Sequence, residues 1–168
     1  MSNDPVLKIK KSFPDAVVPE RAFPTDSGLD LVAHNFKKLY PVGSDTKAIS
    51  LGEEVATLNI QPGERVLIDT GICATVGSGY EIQIRPRSGL ALKNGLTVLN
   101  TPGTIDESYR GMIGVIIINH SGTVQAIEKG MKIAQMVVCP VTLCGVEVVE
   151  DLDSTDRDAG GFGHTGVK

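Results

Sequence analysis

A chain of 168 residues, 41% hydrophobic and 21% charged, has the length and composition of one folded domain, which excludes a wholly disordered protein. The net charge is −4, so the surface as a whole does not attract nucleic-acid backbones or anionic lipid, and a nucleotide needs a local site. No stretch reaches the ~18 apolar residues of a membrane span, and we expect neither a nucleic-acid nor a membrane partner.

Nineteen glycines and recurrent short apolar segments favour an all-β class. The clearest strand is Tyr80 to Arg85, because its apolar and polar residues alternate with a period of two. In chain order the predicted strands are Val6 to Lys10, Glu54 to Ile60, Arg65 to Val76, Tyr80 to Arg85, Leu96 to Asn100, Met112 to Asn119, Thr123 to Ile127, Lys132 to Val141 and Val146 to Val149. Their spacing predicts a sandwich or barrel, with residues 1–168 as a single domain.

Three segments depart from the strand pattern. Ser88 to Asn94 predicts the only helix, with Ser88 as its N-cap and Gly95 just beyond its end. Asn35 to Glu54 has no clean period and predicts an excursion between two strands, either a surface loop or an element that binds a protein partner. Asp151 to Lys168 ends in closely spaced glycines, which predicts a mobile C-terminal arm unless something binds it.

The cysteines are three in number and have no CxxC spacing, which indicates neither a disulfide framework nor a zinc knuckle. A reducing compartment fits better, and the N-terminus lacks the apolar core of a signal peptide. We therefore expect a cytoplasmic protein, in the host cytoplasm if the source is viral. The histidines His34, His120 and His164 lack ligand spacing, so a metal is expected to arrive with its substrate.

Arg85 to Leu90 is the first candidate binding segment. A strand there delivers Arg87 and the Ser88 hydroxyl to the first turn of the predicted helix, where free N–H groups and the helix dipole favour an anion. The segment is a candidate phosphate site. A capped surface helix contains the same residue types, and that alternative stays open.

Leu99 to Gly111 is the second candidate segment. The Pro102-Gly103 pair favours a type II turn, so the flanking strands are predicted to form a hairpin whose backbone edge reads a base. Asp106 would orient a water, and Tyr109 would pack flat against a sugar. An isolated turn followed by a solvated carboxylate gives the same pattern.

Taken in order, five segments of the chain resemble the motifs of the trimeric dUTP pyrophosphatases (dUTPases). They are Ala22 to Leu31, Pro86 to Ala91, Asn100 to Gly111, Gly130 to Met136 and Arg157 to Gly166. The resemblance implies a jelly-roll-like subunit in a homotrimer with its active sites at subunit interfaces. It also implies hydrolysis of dUTP to dUMP and pyrophosphate with Mg²⁺, which limits uracil incorporation into DNA and supplies dUMP for dTMP synthesis.

The same resemblance assigns the site residues. Asp106 positions the water that attacks the α-phosphate, and Asp30 contacts Mg²⁺ through water while the triphosphate holds most of the metal. Uracil and deoxyribose are contacted by Asn100, Gly103, Thr104, Ile105 and Tyr109. The phosphates are contacted by Arg87, Ser88, Gly89, Gln135 and Arg157, and the closing arm contributes Phe162, Gly163, His164 and Thr165.

Two departures from the family pattern and two rival functions remain. His164 stands where many relatives have Ser, and Asp158 stands where Gly is usual. A dCTP deaminase, the nearest rival on this fold, uses a Glu shortly before a strand-ending Asn, and Gly114 to Asn119 contains no acid. The second rival is a nucleotide-responsive binding protein whose partner docks on the segment from Asn35 to Glu54.

Overall fold

The computed structural model describes residues 5–42 and 48–161, in which the chain forms thirteen strands and one short helix. The strands are β1 (Lys8–Lys11), β2 (Leu29–Val32), β3 (Asn35–Tyr40), β4 (Ile49–Ser50), β5 (Thr57–Ile60), β6 (Arg65–Asp69), β7 (Ile72–Thr75), β8 (Tyr80–Arg85), β9 (Leu96–Val98), β10 (Gly103–Ile105), β11 (Gly114–Asn119), β12 (Gln125–Glu128) and β13 (Lys132–Pro140). The helix α1 is Ser88–Asn94. Within the described ranges no helix is long and apolar enough to cross a membrane.

The strands pair antiparallel in two larger sheets and two small ones. One sheet has the order β10-β8-β13-β2 and the other the order β4-β3-β6-β11-β9, while β1 pairs with β7 and β12 with β5. The sheets are open, so the molecule is a sandwich rather than a closed barrel. The all-β prediction is confirmed.

Alternating side chains build the core from both larger sheets. In β8, Ile82 and Ile84 are buried, while the residues that alternate with them are only partly buried. In β11, Val115 and Ile117 are buried in the same way. These residues belong to one hydrophobic cluster, and β-branched side chains suit such half-buried strands. Because one face of β8 packs into the core, only the opposite face of this strand can contact a ligand.

The predicted strand from Arg65 to Val76 is wrong as a single element. The chain breaks between β6 and β7 at Gly71, which has a φ of 75°. A Cβ at this glycine would lie 2.8 Å from the Cβ of Ala16, so both the backbone angle and the close approach require glycine. The apolar run hid this turn because both halves are buried.

The predicted excursion from Asn35 to Glu54 is wrong over its first part. Asn35–Tyr40 is strand β3, which pairs with β6, and Phe36 is fully buried in the core. A register shift between Phe36 and Lys38 interrupts the alternation, which is why this segment has no clean period in the sequence. The loop is therefore shorter than predicted, and residues 43–47 within it lie outside the described residues.

The predicted strand from Val146 to Val149 is also wrong. These residues have no regular secondary structure, and Val146 and Val148 are 92% and 95% exposed. Leu143 and Leu152 on either side are 82% and 85% exposed. The described chain thus presents an extended apolar segment that its own sheets do not cover.

Candidate active site

A pocket of about 550 Å³ brings together residues from three distant parts of the sequence. Among the residues that line it are Asp30, Arg87, Ser88, Gly89 and Gln135, all predicted from sequence as phosphate or metal contacts. Strand pairing explains the meeting, because β13 lies between β2 and β8. Gln135 is opposite both Asp30 and Arg85 in register, so the ends of β2 and β8 meet at this glutamine.

Asp30 joins two cations at the edge of this pocket. Its Oδ1 is 3.0 Å from Arg87 Nε, and its Oδ2 is 2.7 Å from Lys132 Nζ. Arg87 Nη1 also donates to the main-chain oxygen of Lys132 at 3.3 Å. Since only 16% of the Asp30 side chain is exposed, this carboxylate holds Arg87 in one direction. Lys132 thus belongs to this group of charged side chains, although the sequence motifs did not identify it.

The helix α1 begins three residues after the end of β8 and lines the pocket. Its N-cap is Arg87, with φ −93° and ψ 125°, and Ser88 is the first helical residue, so the predicted Ser88 cap is wrong. The first helical hydrogen bond runs from Ala91 N–H to Arg87 O at 3.0 Å. The N–H groups of Ser88 and Gly89 therefore have no acceptor within the helix. The predicted end is confirmed, because Gly95 is left-handed at φ 63° and donates to Ala91 O.

The absence of a side chain at Gly28 makes room for Gln135. A Cβ there would lie only 2.0 Å from Gln135 Oε1, so any larger residue displaces the amide. Gln135 Nε2 donates to the carbonyl of Pro86 at 2.9 Å and thereby connects β13 to the segment between β8 and Arg87.

We expect Gly28→Ala to lower kcat/KM for a phosphate-bearing substrate about tenfold, because the Gln135 bond to Pro86 is lost and the amide is turned away from the pocket. Steady-state kinetics check this. Gly122→Ala is the matched control, because a Cβ at Gly122 meets no atom within 4 Å. Equal kinetics for the two variants would contradict the packing argument.

The residues predicted to bind uracil line a separate narrow cleft of about 110 Å³. Asn100, Gly103, Thr104 and Ile105 line it together with residues of β11. The predicted hairpin is wrong, because β9 pairs with β11 in one sheet whereas β10 pairs with β8 in the other. Gly103 is not among the glycines with positive φ, so the predicted type II turn is wrong as well. The cleft opens between the two sheets.

Asp106 and Tyr109 line a pocket of about 360 Å³ beside this cleft, which Thr104 and Ile105 also line. Tyr109 Oη donates to Met112 O at 3.0 Å. A Cβ at Gly111 would lie 2.4 Å from the Tyr109 hydroxyl, so glycine is needed for the ring to fold over this turn. Both contacts hold the hydroxyl end of the Tyr109 ring, while the Asp106 carboxylate is exposed.

Asp69 is a second carboxylate of this pocket that sequence reasoning missed. Its side chain is 10% exposed, and Oδ2 is 3.3 Å from Lys37 Nζ. Burial raises the pKa of Asp69, and the neighbouring Lys37 offsets part of that rise. Its signal in the sequence was an acid at the end of an apolar strand, Val66 to Asp69, although an acid is also common where a strand ends.

The described residues supply no protein-only metal site. No group of three or more His, Cys, Asp or Glu side chains within residues 5–42 and 48–161 is arranged to hold a metal ion. Both oxygens of Asp30 face cationic side chains, so Asp30 does not fit a direct ligand. The donor set therefore fits a metal that arrives with a polyphosphate substrate.

The C-terminal arm is described only to residue 161. Arg157 is exposed, and its Nε donates to Gly160 O at 2.9 Å within the arm. Asp158 has a φ of 45°, a left-handed conformation that favours glycine, the residue that the motif resemblance leads us to expect at this position. The predicted contacts Phe162, Gly163, His164 and Thr165 lie outside the described residues.

The two groups of candidate residues lie at opposite ends of β8. Ile105 is opposite Ile82, which places Asp106 beside Glu81, whereas Arg87 follows the other end of the strand. Glu81 and Arg87 are six positions apart in extended chain, a distance of about 20 Å. The side chains of one chain do not span that gap, so Asp106 and Arg87 of the same chain do not meet on one phosphate.

Comparison with known proteins agrees with the motif pattern. The dUTPase family model matches residues 53–166. The deoxyuridine 5'-triphosphate nucleotidohydrolase of Gloeothece citriformis is 47% identical over 161 residues, which covers 96% of this chain and 97% of that protein. The same enzyme of Clostridium acetobutylicum is 48% identical over 162 residues, with 96% and 97% covered. A solved dUTPase of Staphylococcus bacteriophage 80alpha with dUpNHpp superposes with a TM-score of 0.76 at 26% identity, covering 99% of this chain and 100% of that one.

Proposed function

The chain belongs to the dUTPase family and is a dUTP diphosphatase, and we propose that its active site forms between subunits of a homotrimer, where Asp106 of one subunit meets Arg87 of another. The observation that carries this proposal is the separation of about 20 Å along β8. A closed ring of identical subunits is the simplest assembly that supplies both halves to every site.

The uncovered apolar segment supports the same assembly. Leu143, Val146, Val148 and Leu152 are each at least 82% exposed, and several large apolar side chains exposed within one segment point to an interface. We propose that this segment packs on a neighbouring subunit and carries the arm with Arg157 across to a phosphate site. Residues 1–168 then act as one domain, of which residues 151–168 are a closing arm.

Mixing two inactive variants tests the shared site. Asp106→Asn and Arg87→Ala subunits, carrying different tags, are co-expressed, and assemblies that contain both tags are purified. If sites form between subunits, the assemblies that contain both tags should recover about one third of wild-type activity, because every ring of three that contains both variants has one site with both Asp106 and Arg87. If each chain carries its own complete site, the mixture will stay as inactive as either variant.

In the proposed mechanism Asp106 accepts a hydrogen bond from water and directs it at the α-phosphorus, in line with the leaving pyrophosphate. Arg87, the N–H groups at Ser88 and Gly89, and Gln135 hold the phosphates and meet the charge that builds on their oxygens. Mg²⁺ arriving with the triphosphate would neutralise part of its charge. Asp30 holds Arg87 in position for the phosphates and, as the family resemblance implies, would contact the metal through water. Closure of the arm by Phe162, Gly163, His164 and Thr165 would exclude water.

Uracil recognition is proposed for the cleft of Asn100, Gly103, Thr104 and Ile105. Gly103 is buried, and a Cβ there would lie 3.3 Å from Asn100 Nδ2, so the amide approaches the main chain closely. Main-chain and amide groups fixed in this way pair with the uracil edge and leave cytosine with unmatched donors. Tyr109 packs on the sugar and leaves no room for a 2′-hydroxyl.

Pyrophosphate release from dUTP, dCTP, dTTP and UTP at matched concentrations with Mg²⁺ tests this specificity. We expect release from dUTP, and a preference over dCTP of at least about a hundredfold, because a mismatched base leaves buried polar groups unpaired. dTTP and UTP should also react more slowly, because the cleft must exclude the thymine methyl group and Tyr109 the 2′-hydroxyl. Ammonia release from dCTP would instead support the deaminase. Hydrolysis of UTP at the dUTP rate would remove Tyr109 from sugar selection.

The physiological role follows from the reaction. Removal of dUTP limits uracil incorporation into DNA, and its product dUMP is the precursor for dTMP. We propose a cytoplasmic location, since Cys73, Cys139 and Cys144 are free thiols, which persist in a reducing compartment.

A protein partner was also predicted for the segment from Asn35 to Glu54. Because Asn35–Tyr40 is paired in a sheet as β3, we propose that such a partner would contact only the residues after Tyr40. Val42 and Ile49 are 59% and 49% exposed there. Deletion must spare β3, so residues 41–52 are the segment to shorten. Loss of a protein interaction with hydrolysis intact would support the partner, and retained interaction would count against it.

A further inference from the structure

Lys93 is a cation in the phosphate pocket to which no role has yet been given. It lines the same pocket of about 550 Å³ as Arg87, Ser88 and Gly89. It stands in the last turn of α1 and is exposed. Among the ion pairs within residues 5–42 and 48–161, none within 4.0 Å involves Lys93.

Lys93 stands one turn after Gly89, on the same face of α1. Residues four apart lie on one face of a helix, and a long side chain leans toward the helix N-terminus over the preceding turn. For Lys93 that preceding position is Gly89, which has no side chain, and a Cβ built there would meet no atom within 4 Å. The path from the Lys93 backbone to the main-chain donors of Ser88 and Gly89 is therefore open.

The charge balance of the pocket leaves a place for this ammonium. Arg87 is already paired with Asp30, and Asp26 adds a further acid to the lining. Arg87 alone is thus a weak counter-charge for a triphosphate. A second cation that is not tied to a carboxylate supplies charge where the phosphates enter.

We propose that Lys93 binds the β- and γ-phosphates of dUTP, the part that leaves as pyrophosphate. The α-phosphate must face the water held by Asp106, and Asp106 belongs to the other half of the site. The pocket beside α1 therefore receives the β- and γ-phosphates. This inference rests on the proposed function. The competing explanation is that Lys93 only interacts with the carbonyls at the end of α1.

Binding measurements on Lys93→Gln separate the two explanations. Calorimetry compares dUpNHpp, which keeps all three phosphates, with dUMP, which keeps only the first. We expect dUpNHpp affinity to fall about tenfold, as for loss of a hydrogen bond to a charged group, and dUMP affinity to stay within about twofold. KM for dUTP should rise in parallel. Lys93→Arg should restore most of the lost affinity.

Lys38→Gln is the matched control, because Lys38 is an exposed lysine on β3 outside the pockets that form the site. It should bind both ligands as the wild type does, and the melting temperatures of all variants should agree within a few degrees. Unchanged dUpNHpp affinity in Lys93→Gln, or an equal fall for both ligands, would overturn the inference while leaving the enzyme assignment intact. A wild-type protein that does not hydrolyse dUTP would overturn both.

Discussion

Asp106→Asn is expected to bind dUTP with nearly unchanged affinity and to hydrolyse it at least about a hundredfold more slowly. Asparagine keeps the shape of the side chain, but it presents an N–H group and has no negative charge to draw on the proton of the attacking water. The Asp106 main-chain oxygen accepts from Tyr109 N–H at 3.1 Å, so the turn survives the substitution. The loss should therefore fall on kcat and spare substrate affinity.

Pyrophosphate release under single-turnover conditions measures the chemical step, and calorimetry with dUpNHpp measures binding. Glu107→Gln is the neighbouring control, because Glu107 adjoins Asp106 and contributes its main-chain oxygen to Arg110. That bond does not need the Glu107 carboxylate, so the kcat of Glu107→Gln should stay within about twofold of the wild-type value. An Asp106→Asn enzyme with undiminished turnover would remove Asp106 from the mechanism.

The parts of the fold that were predictable are those in which local pattern and burial agree. Tyr80 to Arg85 alternates in sequence and alternates in the structure, because one face of β8 packs into the core. Gly95 ends the helix because only a residue tolerant of φ 63° continues the chain there. In both cases the local sequence contains the whole physical cause.

The errors arose where the cause lies in distant residues. Val146 and Val148 resemble a strand, yet a strand exists only with a partner, and the described chain supplies none. Asn35–Tyr40 lost its period through a bulge whose stability comes from β6. The predicted hairpin failed because β9 and β10 pair in different sheets. No window of local sequence contains these pairings.

The candidate site was predictable as a set of residues but not as a geometry. The motifs identified Asp30 and Arg87, whereas their contact depends on the register of β2, β13 and β8. Lys132 was missed for the same reason, since it meets Asp30 only across β13 and β2. The resemblance assigns Asp30 to Mg²⁺ through water, and in the structure both of its oxygens contact cations. These contacts support a second role, in which Asp30 positions Arg87, and the two roles predict different kinetics.

Asp30→Asn is expected to lower kcat/KM for dUTP about a hundredfold, because a misplacement of Arg87 by about 1 Å is enough for a loss of that size. The amide keeps the volume of the carboxylate but leaves Arg87 and Lys132 without the anion between them. Lys132→Gln is the matched variant, which keeps the contact between Asp30 and Arg87. Its loss should be about tenfold or less.

Magnesium titration and a double-mutant cycle distinguish the two roles of Asp30. If Asp30 acts by orienting Arg87, its deficit persists at saturating Mg²⁺, and Asp30→Asn adds little once Arg87 is already alanine, because both changes remove one interaction. If Asp30 instead holds the metal through water, raising Mg²⁺ recovers the lost rate, and the two substitutions multiply. The contact of 3.0 Å between Asp30 Oδ1 and Arg87 Nε leads us to expect the first result.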